Sequence, residues 1–151
     1  NLFELNSKRS HEMLKIILQA AENFCIHQIR EPYTISNNIE EMRTIVAYID
    51  INTASNAYRV FIASSFEFAQ IISTLLLEEL ESDDETLKDM TLELSNLIAG
   101  SAKSLVCEND ENHYTIKTPF FEKIGVFDID YDEAATLNVK NSKAIIAIKE
   151  L

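Results

Sequence analysis

The sequence predicts an α+β domain, an antiparallel sheet covered by helices. Three observations carry this. Apolar residues recur at helical spacing over about 10–29, 64–80 and 84–106. β-branched and aromatic runs occupy 42–51, 56–64, 113–121 and the tail. The strands and helices arrive in runs, the order of an α+β fold.

The elements follow in chain order. Met13, Ile16, Ile17, Ala20, Ala21 and Phe24 mark the first helix, with Ser10 as its cap and "EPY" at 31–33 as its end. The residue before Pro32 is pushed out of the helical region. "MRTIVAYIDI" and "NAYRVFIAS", joined by "NTASN", read as a hairpin. "SSFEFAQIISTLLLEEL" is a helix capped by Ser64 or Ser65, and "ESDD" at 81–84 breaks it. A long helix runs from about Asp84 to Val106, and "ENDEN" at 108–112 is a polar loop. "HYTIKTPFF" is a strand followed by a loop at Pro119, and "ATLNVKNSKAIIAIKEL" is two strands about a tight turn near Asn141–Ser142. The sum is three helices and about five strands.

With 151 residues the chain suits one domain, 1–151, with 1–9 as an N-terminal extension. It does not begin with Met, so it reads as a processed or excised piece of something longer. No apolar run is long enough for a membrane span, and the start lacks the basic and apolar regions of a signal peptide. A net charge of −12 argues against nucleic acid and anionic membranes as partners, favours a partner with a basic contact patch, and also serves solubility alone. Cys25 and Cys107 form no CxxC pair and read as reduced thiols of a cytoplasmic protein.

The stretch "DMTLELSNLIAG" holds the main functional signal. At ~100° per residue, Leu87, Met90, Leu94, Leu97, Ile98 and Leu105 share one broad core face. Asp89, Glu93, Asn96 and Gly100 fall within roughly 60° of one another on a separate stripe. Helix interiors disfavour Asn and Gly. Asn carries a donor and an acceptor without ionising, so it can hold and aim a water molecule. Glu93 can pair with a partner's cation, Asp89 can add to docking, and Gly100 lets another surface approach closely. The same stripe also fits a solvated face. Glu67 and Gln70 repeat the Glu-x-x-amide spacing on the preceding helix with no sign of a site.

The wider pattern, D-x-x-x-E-x-x-N-x-x-x-G over 89–100, resembles the signature of the CheC/CheX/FliY chemotaxis phosphatases. "ELSNLIAGSAKSLV" is most similar to CheX-type sequences, and the order of elements is similar from about residue 10 to the end. A single copy of the motif also resembles CheX. Ser95 departs from the Gly common between Glu and Asn, and the strand pair over 42–64 lacks the family's glycines. The resemblance implies a CheX-like fold and removal of the phosphoryl group from the aspartyl phosphate of a CheY-like receiver domain. It implies that Asn96 orients the attacking water and that Glu93 pairs with the receiver's lysine. It implies that Mg²⁺ belongs to the receiver, with no cofactor held by this chain, and that the protein is a homodimer. The alternative is a non-catalytic module that binds a receiver or flagellar partner through the same helix face.

Other chemistry lacks its residues. His11, His27 and His113 show no ligand spacing, so no metal site is expected. With Gly100 and Gly125 as the only glycines, phosphate-cradling loops and nucleophile elbows cannot be built. "ESDDE" and "ENDEN" flank the motif helix and fit solvated loops or steering of a basic partner. Asp128, Asp130, Asp132 and Glu133 alternate in the manner of a cation site, without the glycine of a calcium loop.

Overall fold

The computed structural model describes residues 1–107 and 114–151, so the expected "ENDEN" loop and His113 lie outside the described residues. Among the described residues, an antiparallel sheet of seven strands carries three α-helices on one face. In chain order these are α1 (Leu2–Phe24), which runs into a π-helical turn (Cys25–Ile29), β1 (Tyr33–Ser36), β2 (Arg43–Asn52), β3 (Ala57–Ser64), α2 (Phe66–Leu77) and α3 (Asp84–Cys107). Strands β4 (Thr115–Ile116), β5 (Phe120–Val126), β6 (Glu133–Val139) and β7 (Ser142–Glu150) complete it. The strand order is β1-β6-β7-β3-β2-β4, and β5 pairs with β2 beside β4.

The first helix starts earlier than expected. Asn1 caps it, accepting from the Glu4 N–H at 2.9 Å while the Glu4 side chain reaches back to the Asn1 amine at 3.4 Å. Residues 2–9 are therefore helical and continuous with the rest of α1. Their outward Leu2 and Leu5 blur the apolar period, which is why the sequence pointed to Ser10 instead. Ser10 is buried inside the helix, and its hydroxyl donates to Asp132 at 2.8 Å. Arg9 beside it forms a two-point ion pair with Glu150, at 2.7 and 3.1 Å. Arg30, in the left-handed region, ends the helical run just before Pro32.

Period-two alternation divides the sheet's side chains. Ile49, Ile51, Val60, Ile62, Ile146 and Ile148 point into the main core, against Leu14 and Ile17 of α1, Phe68 and Ile72 of α2, and Leu94 and Ile98 of α3. Val46, Phe61, Ala63, Ile145 and Ala147 face the other way and are covered by Phe127, Ile129, Ile39 and Met42. Both faces of the central strands are thus apolar, which explains the near-continuous runs "TIVAYI" and "AIIAI".

Two strands escaped the sequence reading. β1 is a short edge strand that pairs with β6, and β5 sits on the free side of β2 with a bulge opposite Val46 and Ala47. Edge strands bury little, so they carry weak alternation. The predicted tail hairpin turns at Lys140–Asn141, with Lys140 in the left-handed region.

Candidate functional site on the exposed face of α3

The start of α3 is fixed by polar contacts. Asp83 accepts from the Thr86 N–H at 2.8 Å, and that bond first, with the Thr86 side chain adding, holds its carboxyl below the usual range. The preceding loop is tied back to α2 by Gln70. Its oxygen accepts from the Ser82 N–H at 2.9 Å, and its amide donates to the Glu79 carbonyl at 3.2 Å. Thr74 donates to the same carbonyl at 2.7 Å. The Glu67–Gln70 pair that mimicked the motif is therefore part of the scaffold on its amide side.

Along α3, Leu87, Thr91, Leu94, Ser95, Ile98, Ala99 and Ala102 are buried. Thr91 and Ser95 donate their hydroxyls back to Leu87 and Thr91 carbonyls at 3.0 and 2.9 Å, so two buried polar side chains are satisfied within the helix. Ser95 thus lies off the stripe, as expected. Leu97 was expected in the core and is instead 37% exposed. The small residues Thr91, Ser95 and Ala102 rotate the buried face away from it.

That rotation leaves the stripe at the surface. Asp89, Glu93 and Asn96 are exposed, and Gly100 is half-buried. The four span about 16 Å along the axis at 1.5 Å per residue. Among the described residues, the Asp89, Glu93 and Asn96 side chains make no hydrogen bond or ion pair. A Cβ added to Gly100 would meet nothing within 4 Å, so the packing of this chain does not require a glycine there. A carboxylate and an amide therefore stand free, one turn apart, on a helix pinned on its other side. The arrangement can hold a cation and a water molecule side by side on an approaching partner.

Beside the stripe lies a groove of about 480 Å³ that the sequence did not reveal. The C-terminal end of α1 with its π-helical turn, the last turn of α2 and the middle of α3 build it, with Phe24, Leu76 and Leu97 as its apolar lining. The signal available in the sequence was Leu97 itself, which sits at the margin of the predicted core face.

The acidic run "DIDYDE" belongs to the fold. Asp128 pairs with Lys123, and Lys149 reaches Asp130 at 3.2 Å and Asp132 at 3.3 Å. Burial pushes the Asp132 carboxyl up, but bonds from the Glu150 N–H, Ser10 and Lys149 outweigh it and hold it below its ordinary value. Cys25 is a free, fully buried thiol pushed up to about 11, mainly by burial, with the Glu22 charge adding. Among the described residues, no group of three or more His, Cys, Asp or Glu side chains is arranged to hold a metal ion. No helix among them is long and apolar enough to cross a membrane.

The fold has solved counterparts. The chemotaxis protein CheX from Vibrio vulnificus superposes with a TM-score of 0.77 at 18% identity, covering 93% of this chain and 97% of that one. A chemotactic CheC-like protein from Shewanella oneidensis MR-1 gives 0.76 at 15% identity, covering 91% and 96%. The CheX–CheY–BeF3–Mg²⁺ complex from Borrelia burgdorferi gives 0.65 at 17% identity, covering 90% and 97%. No curated protein matches the chain by sequence. Residues 45–139, more than half of the chain and including all of α3, match the family described as chemotaxis phosphatase CheX. On that match, and on a fold shared almost end to end, the chain belongs to the CheX family.

Proposed function

We propose that this protein hydrolyses the aspartyl phosphate of a CheY-like receiver domain, with Glu93 and Asn96 as its catalytic residues. The observation that supports this most directly is the pair of free side chains, Glu93 and Asn96, one turn apart on an exposed face. Family membership supplies the reaction class. A CheX–CheY complex among the structural relatives supports the partner.

In this reading α3 is laid across the receiver's phosphorylated site. Asn96 accepts a hydrogen from one water molecule and aims its oxygen at phosphorus, in line with the acyl phosphate oxygen. The new P–O bond forms as the bond to the aspartyl oxygen breaks, leaving a free aspartate and inorganic phosphate. Glu93 pairs with the receiver's lysine and fixes the register of the helix. Asp89 and Gly100 serve docking, the latter by letting the receiver come close to the α3 backbone. Mg²⁺ is assigned to the receiver, and no cofactor to this chain. Phosphoryl transfer needs positioning and charge stabilisation more than a protein nucleophile, so an amide and a carboxylate suffice. The same reading places the protein in the cytoplasm with its receiver, and as a homodimer.

The test is phosphate loss from a Mg²⁺-bound phosphorylated CheY-type receiver, with wild type, Asn96→Ala and Glu93→Ala. Acceleration by wild type that Asn96→Ala abolishes while binding persists is the expected result. Binding by wild type with no acceleration would instead make the face a docking module for a receiver or flagellar partner.

A further inference from the structure

The groove beside the stripe has a role of its own, which rests on the receiver reading above. We infer that it seats an apolar side chain of the receiver, beside the basic residues that meet Asp89 and Glu93, and so sets affinity for the receiver without entering the chemistry.

Three features point to this occupant. The first is continuity. Leu97 follows Asn96 and Ser101 follows Gly100, and both line the groove. A surface that reaches Asn96 and comes down on Gly100 therefore lies over the groove's edge. The second is polarity. The stripe is acidic at Asp89 and Glu93, whereas no carboxylate, lysine or arginine is among the described residues lining the groove. Its rim is uncharged amide and hydroxyl, with His27, around Phe24, Leu76 and Leu97. A partner that fits both must place cationic groups against the stripe and an apolar group against the groove. The third is that the groove is already built. Cys25, at the start of the π-helical turn, is fully buried, and the Arg30 N–H closes that turn on the Cys25 carbonyl at 2.7 Å. A π-helical turn at the margin of a binding face is a recurrent device. Leu76 and Leu97 are 41% and 37% exposed, so both keep apolar area that a partner can cover.

The test is the Leu76→Ser/Leu97→Ser double variant, with Leu5→Ser at the far end of α1 as a control of similar exposure. Each is measured for affinity to a CheY-type receiver from the same organism held with Mg²⁺ and beryllofluoride. Each is also measured for kcat and KM of phosphate loss, for thermal unfolding and for oligomeric state by sedimentation. The double variant is expected to melt like wild type, to bind about ten-fold more weakly, ~1.4 kcal/mol, and to raise KM alike with kcat within about two-fold, as loss of uniform binding requires. Leu5→Ser should change neither.

Unchanged affinity and KM overturn the inference. So does a fall in kcat alone, or an effect confined to dissociating a dimer, which would assign the groove to a second copy of this chain. If wild type binds the receiver without speeding phosphate loss and the double variant weakens that binding, the phosphatase reading fails and the groove stands. If wild type binds no receiver, both fall.

Discussion

Glu67–Gln70 and Glu93–Asn96 place a carboxylate and an amide at the same spacing on successive helices, and they end in opposite situations. Gln70 is half-buried and engages the Ser82 N–H and the Glu79 carbonyl, closing the α2–α3 loop. Asn96 is exposed and engages nothing among the described residues. Spacing alone therefore does not distinguish an amide that the scaffold uses from one left free at the surface. What does is whether the fold already uses the group's hydrogen-bonding capacity. A polar residue the fold needs has its partners within the chain, and one kept for a partner stands free at a cost in helix propensity.

Asn96 separates the two pairs most sharply. Asn96→Ala is expected to lower receiver dephosphorylation by about 10²-fold or more, the scale of losing one placed polar group at a reacting centre. Unfolding free energy should stay within about 0.5 kcal/mol of wild type, because an exposed, unpartnered side chain is removed. Steady-state phosphate release with a denaturant titration checks both. A stability loss above about 1 kcal/mol would show Asn96 to be a scaffold residue after all.

Acid separates the two kinds of polar group next. Asp132 is committed to Ser10, Lys149 and the Glu150 N–H, and its carboxyl is held below its ordinary value. A depressed folded-state pKa gives stability that is complete above the unfolded carboxylate value and is lost as pH falls through it towards the folded one. Asp132→Ala should cost about 1–3 kcal/mol at neutral pH, because it leaves the buried Ser10 hydroxyl without its acceptor. The gap to wild type should narrow as pH is lowered below about 5. Denaturation midpoints from pH 7 to 3 measure it, and a gap independent of pH would remove the charge from the account.

Gln70→Ala supplies the converse of Asn96→Ala. It should cost about 1 kcal/mol, since the Ser82 N–H loses its partner in a region water can reach. Dephosphorylation per folded molecule should be retained. A kcat loss like that of Asn96→Ala would erase the distinction between the two amides.

Much of this was legible in the sequence, for identifiable reasons. The β2–β3 hairpin, α2, α3 and the β6–β7 hairpin bury one or both faces, so their patterns are strong. The stripe was legible because Asn96 and Gly100 are poor helix residues on an otherwise good helix. Edge strands β1 and β5 were not, because they bury too little to impose a pattern. The helical character of residues 2–9 was hidden although Asn1 and Glu4 have capping-box spacing, because Leu2 and Leu5 point outward and break the apolar stripe. Leu97 was misplaced because a wheel treats leucine as core. Only the packed structure shows that Thr91 and Ser95, hydroxyls turned back onto the helix, take the buried side instead.

The smallest effect is the one that tests the logic most directly. Gly in a helix interior costs up to about 1 kcal/mol relative to Ala. At Gly100 that cost is not offset by packing, since an added Cβ meets only open space. The backbone does not require glycine either, as no glycine in the chain has positive φ. Gly100→Ala should therefore stabilise the free protein by about 0.5–1 kcal/mol, seen as a rise in the denaturation midpoint. If the receiver comes down on the α3 backbone there, the same methyl should weaken receiver binding, so stability and affinity move in opposite directions. A variant that gains stability and binds as well as wild type would leave Gly100 a residue of no consequence. The docking face would then end at Asn96.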